Sequence, residues 1–182
     1  MLEIVIPATE MFDESTQEFI MTTEQKLRLE HSLVSLSKWE SKWCKPYLTK
    51  TEKTMEETID YIKCMTITQN VDPDVYLRIT NEQLRQIYKY IEAPMTATTF
   101  SKFGNQSKPG RGEQITAELV YYWMVSLNIP FECQKWHLNK LLTLIRVCEI
   151  KNTPPKKMSR KQTASNYAAL NKQRRQQMKT KG

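Results

Sequence analysis

The chain has 182 residues, with 27 Lys and Arg against 20 Asp and Glu for a formal net charge of +7. That length suits one domain or at most two small ones, and a hydrophobic content of 40% is enough to build a core. The longest apolar stretch, residues 119–127, is about half of a bilayer span, and neither a leader nor a CxxC pair is readable, so no membrane segment, secretory signal or disulfide framework is expected. The expectation is a soluble, cytosolic protein with its four cysteines reduced. The charge is unevenly placed. The last acidic residue is Glu149, and residues 151–182 hold ten Lys or Arg with no Asp or Glu. Residues 1–150 are left with a net of −3, a mildly acidic body carrying a basic appendage.

Taken in order, residues 2–6 (LEIVI) are β-branched and apolar and end at Pro7, which reads as a strand. Residues 19–21 are its expected hairpin partner across the polar segment 13–17. Thr22-x-x-Gln25 has the form of a capping box opening a helix that runs to about Cys44. Leu29, Leu33, Leu36 and Trp43 would share one face of it, and Pro46 would stop it. Thr54-x-x-Glu57 opens a second helix and Thr80-x-x-Gln83 a third, with Asp72-Pro73-Asp74 between them as a turn into a short helical piece. Residues 102–113 hold three of the four glycines and are the expected loop or boundary between two halves of the helical body. Residues 116–128 are apolar on nearly every side, which predicts a central, buried helix. After Pro130 a long helix over 132–150 is expected to complete a helical hairpin. Asn152-Thr153-Pro154-Pro155 ends the body, and Ser159-x-x-Gln162 restarts a partly ordered helix to about Met178. The fold class is therefore mainly α: a helical domain with a short N-terminal β-hairpin and a basic C-terminal arm. Its expected segments are an extended piece over 1–21, a helical body over 22–151 and the arm over 152–182.

Catalysis finds little material. His31 and His137 are the two histidines, and Cys133 lies four residues before His137, but a zinc site needs three or four ligands. There is no GxSxG, P-loop or dinucleotide fingerprint, and Gly110-Arg111-Gly112 is too short to cradle a phosphate. Glu56 and Glu57 suit the first turn of a helix, where they favour its dipole. The reading assigns no catalytic residue, no cofactor and no metal, and expects a protein that is not an enzyme.

Two features suggest binding instead. Trp39 and Trp43 are one helical turn apart beside Lys38 and Lys42, a pair suited to anchor a partner helix, although their apolar bulk favours the other reading, that both close the core. Trp123 and Trp136 belong to the apolar hairpin and are expected in the core. The arm contributes two basic clusters, Lys156, Lys157, Arg160 and Lys161, then Lys172, Arg174 and Arg175 followed by Lys179 and Lys181. With Tyr167 the arm's single aromatic, base stacking is not supported and a protein surface is the better target than nucleic acid.

The runs HSLVSLSKWESKW (31–43), MTATTF (95–100), ITAELVYYWMVSLNIPFECQKWHLNKLLTLIRVC (115–148), KNTPPKKMS (151–159) and ALNKQRRQQMKTKG (169–182) carry a resemblance covering nearly the whole chain. It is to the small tail assembly chaperones of long-tailed bacteriophages. The resemblance implies a non-enzymatic factor, acting in the host cytoplasm, that binds the long helical tape-measure protein and keeps it soluble until the major tail protein polymerises around it. It supplies no functional residues by position. Homo-oligomerisation is left open. The alternative is a structural virion component, a tail or head-tail connector subunit that uses the C-terminal arm to contact its neighbours.

Overall fold

In the computed structural model, which describes residues 1–13, 17–49, 51–100, 114–153 and 160–178, the chain opens with four strands: β1 (Leu2–Ile6), β2 (Glu10–Asp13), β3 (Glu18–Met21) and β4 (Gln25–Leu29). β1 pairs antiparallel with β4, Leu2 opposite Leu29 and Ile6 opposite Gln25, while β2 pairs with β3, Glu10 opposite Met21. The two pairs are nested in one long hairpin. Pro7 has no N–H to offer, and the ladder breaks there. Thr9 and Thr22 bridge the break, with the Thr22 N–H donating to the Thr9 carbonyl at 2.9 Å and the Thr9 N–H to Thr22 Oγ1 at 2.9 Å. Arg78 clamps the same joint, donating to the Pro7 carbonyl at 3.0 Å and to Thr22 Oγ1 at 2.7 Å.

This corrects two expectations. The partner of residues 2–6 is β4, not residues 19–21, and Thr22 does not open a helix. In Gln25–Leu29 the charged Lys26 and Arg28 alternate with Leu27 and Leu29, and that period of two buries both leucines against Ile4 and Ile6 on the opposite strand. Helix α1 (Leu33–Trp43) starts after a different cap, Ser32, whose side chain accepts from the Ser35 N–H while Ser35 Oγ accepts from the Ser32 N–H. It closes at Cys44, held in the left-handed region at φ 51°.

The next three elements start where the sequence places them. α2 (Met55–Met65) and α3 (Asn81–Glu92) open with the Thr54–Glu57 and Thr80–Gln83 capping boxes. A 3₁₀ helix, Pro73–Arg78, opens with Asp72 accepting from the Asp74 N–H. The 102–113 loop lies outside the described residues. Beyond it come α4 (Ala117–Ser126), a second 3₁₀ helix (Phe131–Lys135) and α5 (Leu138–Asn152). The single helix expected over 132–150 is thus broken at Trp136. The reason is long-range pairing: Ser32 and His137 form a β-bridge, and the Leu138 N–H donates to the His31 carbonyl at 2.7 Å.

Two hydrophobic clusters form the core. Ile4, Ile6, Leu27 and Leu29 of the hairpin meet Trp39, Tyr61, Ile62, Met65, Val75 and Ile87 in the first. Leu33 and Leu36 meet Val120, Met124, Leu138 and Leu141 in the second. α1 supplies residues to both, so α1 is the central helix. That displaces the expectation for α4, which buries Ala117, Val120 and Met124 but leaves Tyr122 and Val125 exposed. Compact packing joins Met1–Glu149 into one unit, and Ile150–Gly182 forms a second that contains α6 (Arg160–Met178). The fold is mainly helical with an N-terminal β-hairpin. None of the described helices is long and apolar enough to cross a membrane.

Candidate functional site

The tryptophan pair of α1 is engaged inside the body. Trp39 is 1% exposed, and its Nε1–H donates to the Glu57 carbonyl at 2.9 Å. It is a core residue and offers no surface to a partner, which corrects its place among the candidate anchors. Trp43 stacks on it with ring centroids 6.1 Å apart and stays half-buried. The Nε1–H of Trp43 donates to Asp60 Oδ2 at 2.9 Å, Lys42 pairs with the other oxygen of Asp60, and Lys45 bonds Glu57 Oε1 at 2.6 Å. The Lys45 ammonium also lies 5.7 Å from the centre of the Trp43 ring. Residues of α2 therefore engage both tryptophans and Lys42, while Lys38 stays exposed. The hydrogen bond from Lys45, with one from the Thr54 N–H, holds the Glu57 carboxyl below its ordinary range.

Glu40, the next residue of α1 after Trp39, is buried as well. Its Oε1 accepts from the Tyr47 N–H at 2.8 Å and its Oε2 from the Ala117 N–H at 2.7 Å, so the carboxylate caps the first turn of α4. A second polar cluster lies where residues 31–32 cross residues 136–138. The His31 and His137 rings pack edge to face with centroids 5.2 Å apart, and both side chains are buried. His31 Nδ1 shares a 2.6 Å hydrogen bond with the Tyr61 hydroxyl. His137 donates from Nε2 to the Tyr90 carbonyl at 3.0 Å, while its Nδ1 accepts from the Asn139 N–H at 3.3 Å. This is a fully bonded neutral imidazole. Burial, then repulsion from His137, lowers the His31 pKa to about 3, and burial lowers that of His137 against the bond to Tyr90. Cys133 packs in the second cluster, and no group of three or more His, Cys, Asp or Glu among the described residues is placed to hold a metal.

Among the large apolar side chains open to solvent, four belong to α4 and the segment just after it. Tyr122 is 65% exposed and Val125 58%, one turn apart on α4, and Phe131 is 55% exposed. Trp136, expected in the core, is 38% exposed and lies under the Lys140 ammonium at 4.5 Å. Sequence reading missed this surface because a run that is apolar all round does not reveal which side is buried. The usable signal was Pro130, which interrupts the helical pattern and turns Phe131 and Trp136 out of the expected stripe.

The basic candidates fall in three groups. Lys156 and Lys157 lie outside the described residues. Arg160, Lys161 and Lys172 belong to α6, though only their backbone is described. Arg174 and Arg175 are exposed on the same helix. No protein-family model matches this chain, and no curated protein or solved structure matches it significantly.

Proposed function

We propose that the protein is a tail assembly chaperone that binds a phage tail protein, with the tape-measure protein as its partner, and that performs no covalent chemistry. The resemblance of residues 31–43, 115–148 and 151–159 to that family supports the reading. The observation that carries it is the exposed set Tyr122, Val125, Phe131 and Trp136, all within α4 and the short segment that follows it. Aromatic side chains beside a lysine suit an apolar helical surface that must be shielded and later released, because they bury large area with few rotors to order. Co-expression tests it. The tape-measure protein should move from the pellet to the soluble fraction and elute with this chain. An unchanged pellet and separate elution would rule the reading out.

One observation favours a structural component of the virion instead: α6 belongs to a compact unit of its own, as an arm that locks neighbours would require. Mass spectrometry of purified particles separates the two. A chaperone should be absent, and stoichiometric presence would replace this reading with the structural one.

A further inference from the structure

Charge is segregated by segment along this chain. Residues 1–25 hold six Asp or Glu and no Lys or Arg, residues 151–182 hold ten Lys or Arg and no acid, and residues 26–150 are near balance at 17 basic against 14 acidic. The acidic end is the nested hairpin. Its outer pair, β2 and β3, places Glu10 opposite Met21, and Phe19 stands two residues before Met21 on the same strand. Residues opposite each other or two apart share a face of a sheet, so Glu10, Phe19 and Met21 lie on one face. Phe19 is 68% exposed and Met21 70%, and Glu10 is exposed as well. Among the described residues, none from 8 to 24 belongs to either hydrophobic cluster.

Helix α6 has the complementary make-up. Tyr167, Leu170, Arg174 and Met178 follow one another at spacings of three, four and four, and at about 100° per residue they share a stripe roughly 80° wide. Tyr167 is 64% exposed, Leu170 44% and Met178 73%, and Arg174, between Leu170 and Met178 in the stripe, is exposed too. The lengths agree. The stripe spans about 16 Å at 1.5 Å per residue, and the hairpin from Thr9 to Asp13 about 13 Å at 3.3 Å per residue. Each face is apolar with one charge set in it, a carboxylate on the hairpin and a guanidinium on the helix, so each can cover and neutralise the other. The arm's remaining cations lie off the stripe and steer the approach through their field, which reaches about 8 Å at physiological salt. Within one chain both faces are open to solvent, so the cover comes from another molecule. A nucleic acid would match the arm's charge but leave Tyr167, Leu170 and Met178 without an apolar surface to cover. We propose that α6 of one copy docks on the β2–β3 face of a second copy, so that the protein self-associates arm to hairpin. The contact is separate from the α4 surface, so failure of either leaves the other standing.

The test is sedimentation equilibrium of the full chain with no tail protein present. The expected result is concentration-dependent association at about 0.15 M salt that weakens by about tenfold or more at about 1 M. Two charge reversals carry the assignment, Glu10→Lys with Glu24→Lys on the hairpin and Arg174→Glu with Arg175→Glu on the arm, all at exposed positions. Neither should alter the far-ultraviolet dichroism. Each alone should associate about tenfold more weakly, and an equimolar mixture of the two should recover association, because a basic hairpin then meets an acidic arm. Leu170→Ser, which leaves the charge unchanged, should weaken association by about threefold or more. A monomer at every concentration, reversals without effect, or a mixture that does not recover would overturn the proposal. Insensitivity to Leu170→Ser would overturn the docked face, leaving charge alone. Recovery only in a single chain that carries all four reversals, independent of concentration, would assign the arm to its own hairpin instead. A DNA duplex of about 20 base pairs that binds the arm and dissolves the association at equal concentration would assign it to nucleic acid.

Discussion

Replacing Glu40 with Leu would strip the acceptor from two backbone N–H groups at once, those of Tyr47 and Ala117. Each buried donor left without a partner costs about 1–3 kcal/mol, so Glu40→Leu should destabilise the body by roughly 2–6 kcal/mol and Glu40→Gln by less. Urea unfolding at fixed pH reads this as a lower midpoint at constant slope, and an unchanged midpoint would refute the capping role. The two histidines make stability depend on acid. In the folded chain His31 stays neutral down to about pH 3, whereas in the unfolded chain it gains a proton near its ordinary value of 6.5. Between those values the unfolded state holds more protons, so stability falls as the pH drops. From pH 7 to pH 5 the loss through His31 is about 2 kcal/mol, and His137 adds to it in the same direction. Urea midpoints measured across that range should decline, and decline less in His31→Gln. A flat profile would show that the pair is not held neutral.

The elements differ in how far they can be read from sequence. α2 and α3 are legible because Thr54, Glu57, Thr80 and Gln83 form reciprocal caps that depend only on residues three apart. Thr54→Ala should therefore cost about 1 kcal/mol, checked by thermal unfolding of the full chain. β4 was legible as well, through the alternation of Lys26 and Arg28 with Leu27 and Leu29, but a competing helical spacing from Leu29 to Leu36 obscured it. The break at Trp136 was not legible. It follows from pairing between residues 31–32 and 137–138, more than a hundred positions apart, which no local pattern encodes. The candidate site shows the same division. The Trp39–Trp43 spacing was readable, but the acidic groups of α2 that occupy that face are a tertiary fact. Likewise, the exposure of Tyr122 and Trp136 depends on α1 rather than α4 being the central helix.

At the scale of the whole molecule, both hydrophobic clusters lie within Met1–Glu149, and the net charge of +7 is concentrated beyond it. Truncation after Thr153 should thus leave the melting temperature within about 2 °C of the full chain, because every residue of both clusters lies before that point. Differential scanning calorimetry checks this, and a larger fall would mean that the arm helps hold the body together. The central proposal is that the body shields a tail protein through the exposed side chains of α4 and of the segment after it. Its most direct test is a quantitative pull-down of the tape-measure protein by the full chain and by the double variant Tyr122→Glu, Trp136→Glu. Both positions are exposed, so the variant should fold, and its recovery of partner should fall by about tenfold or more. Undiminished recovery by a folded variant would contradict the account.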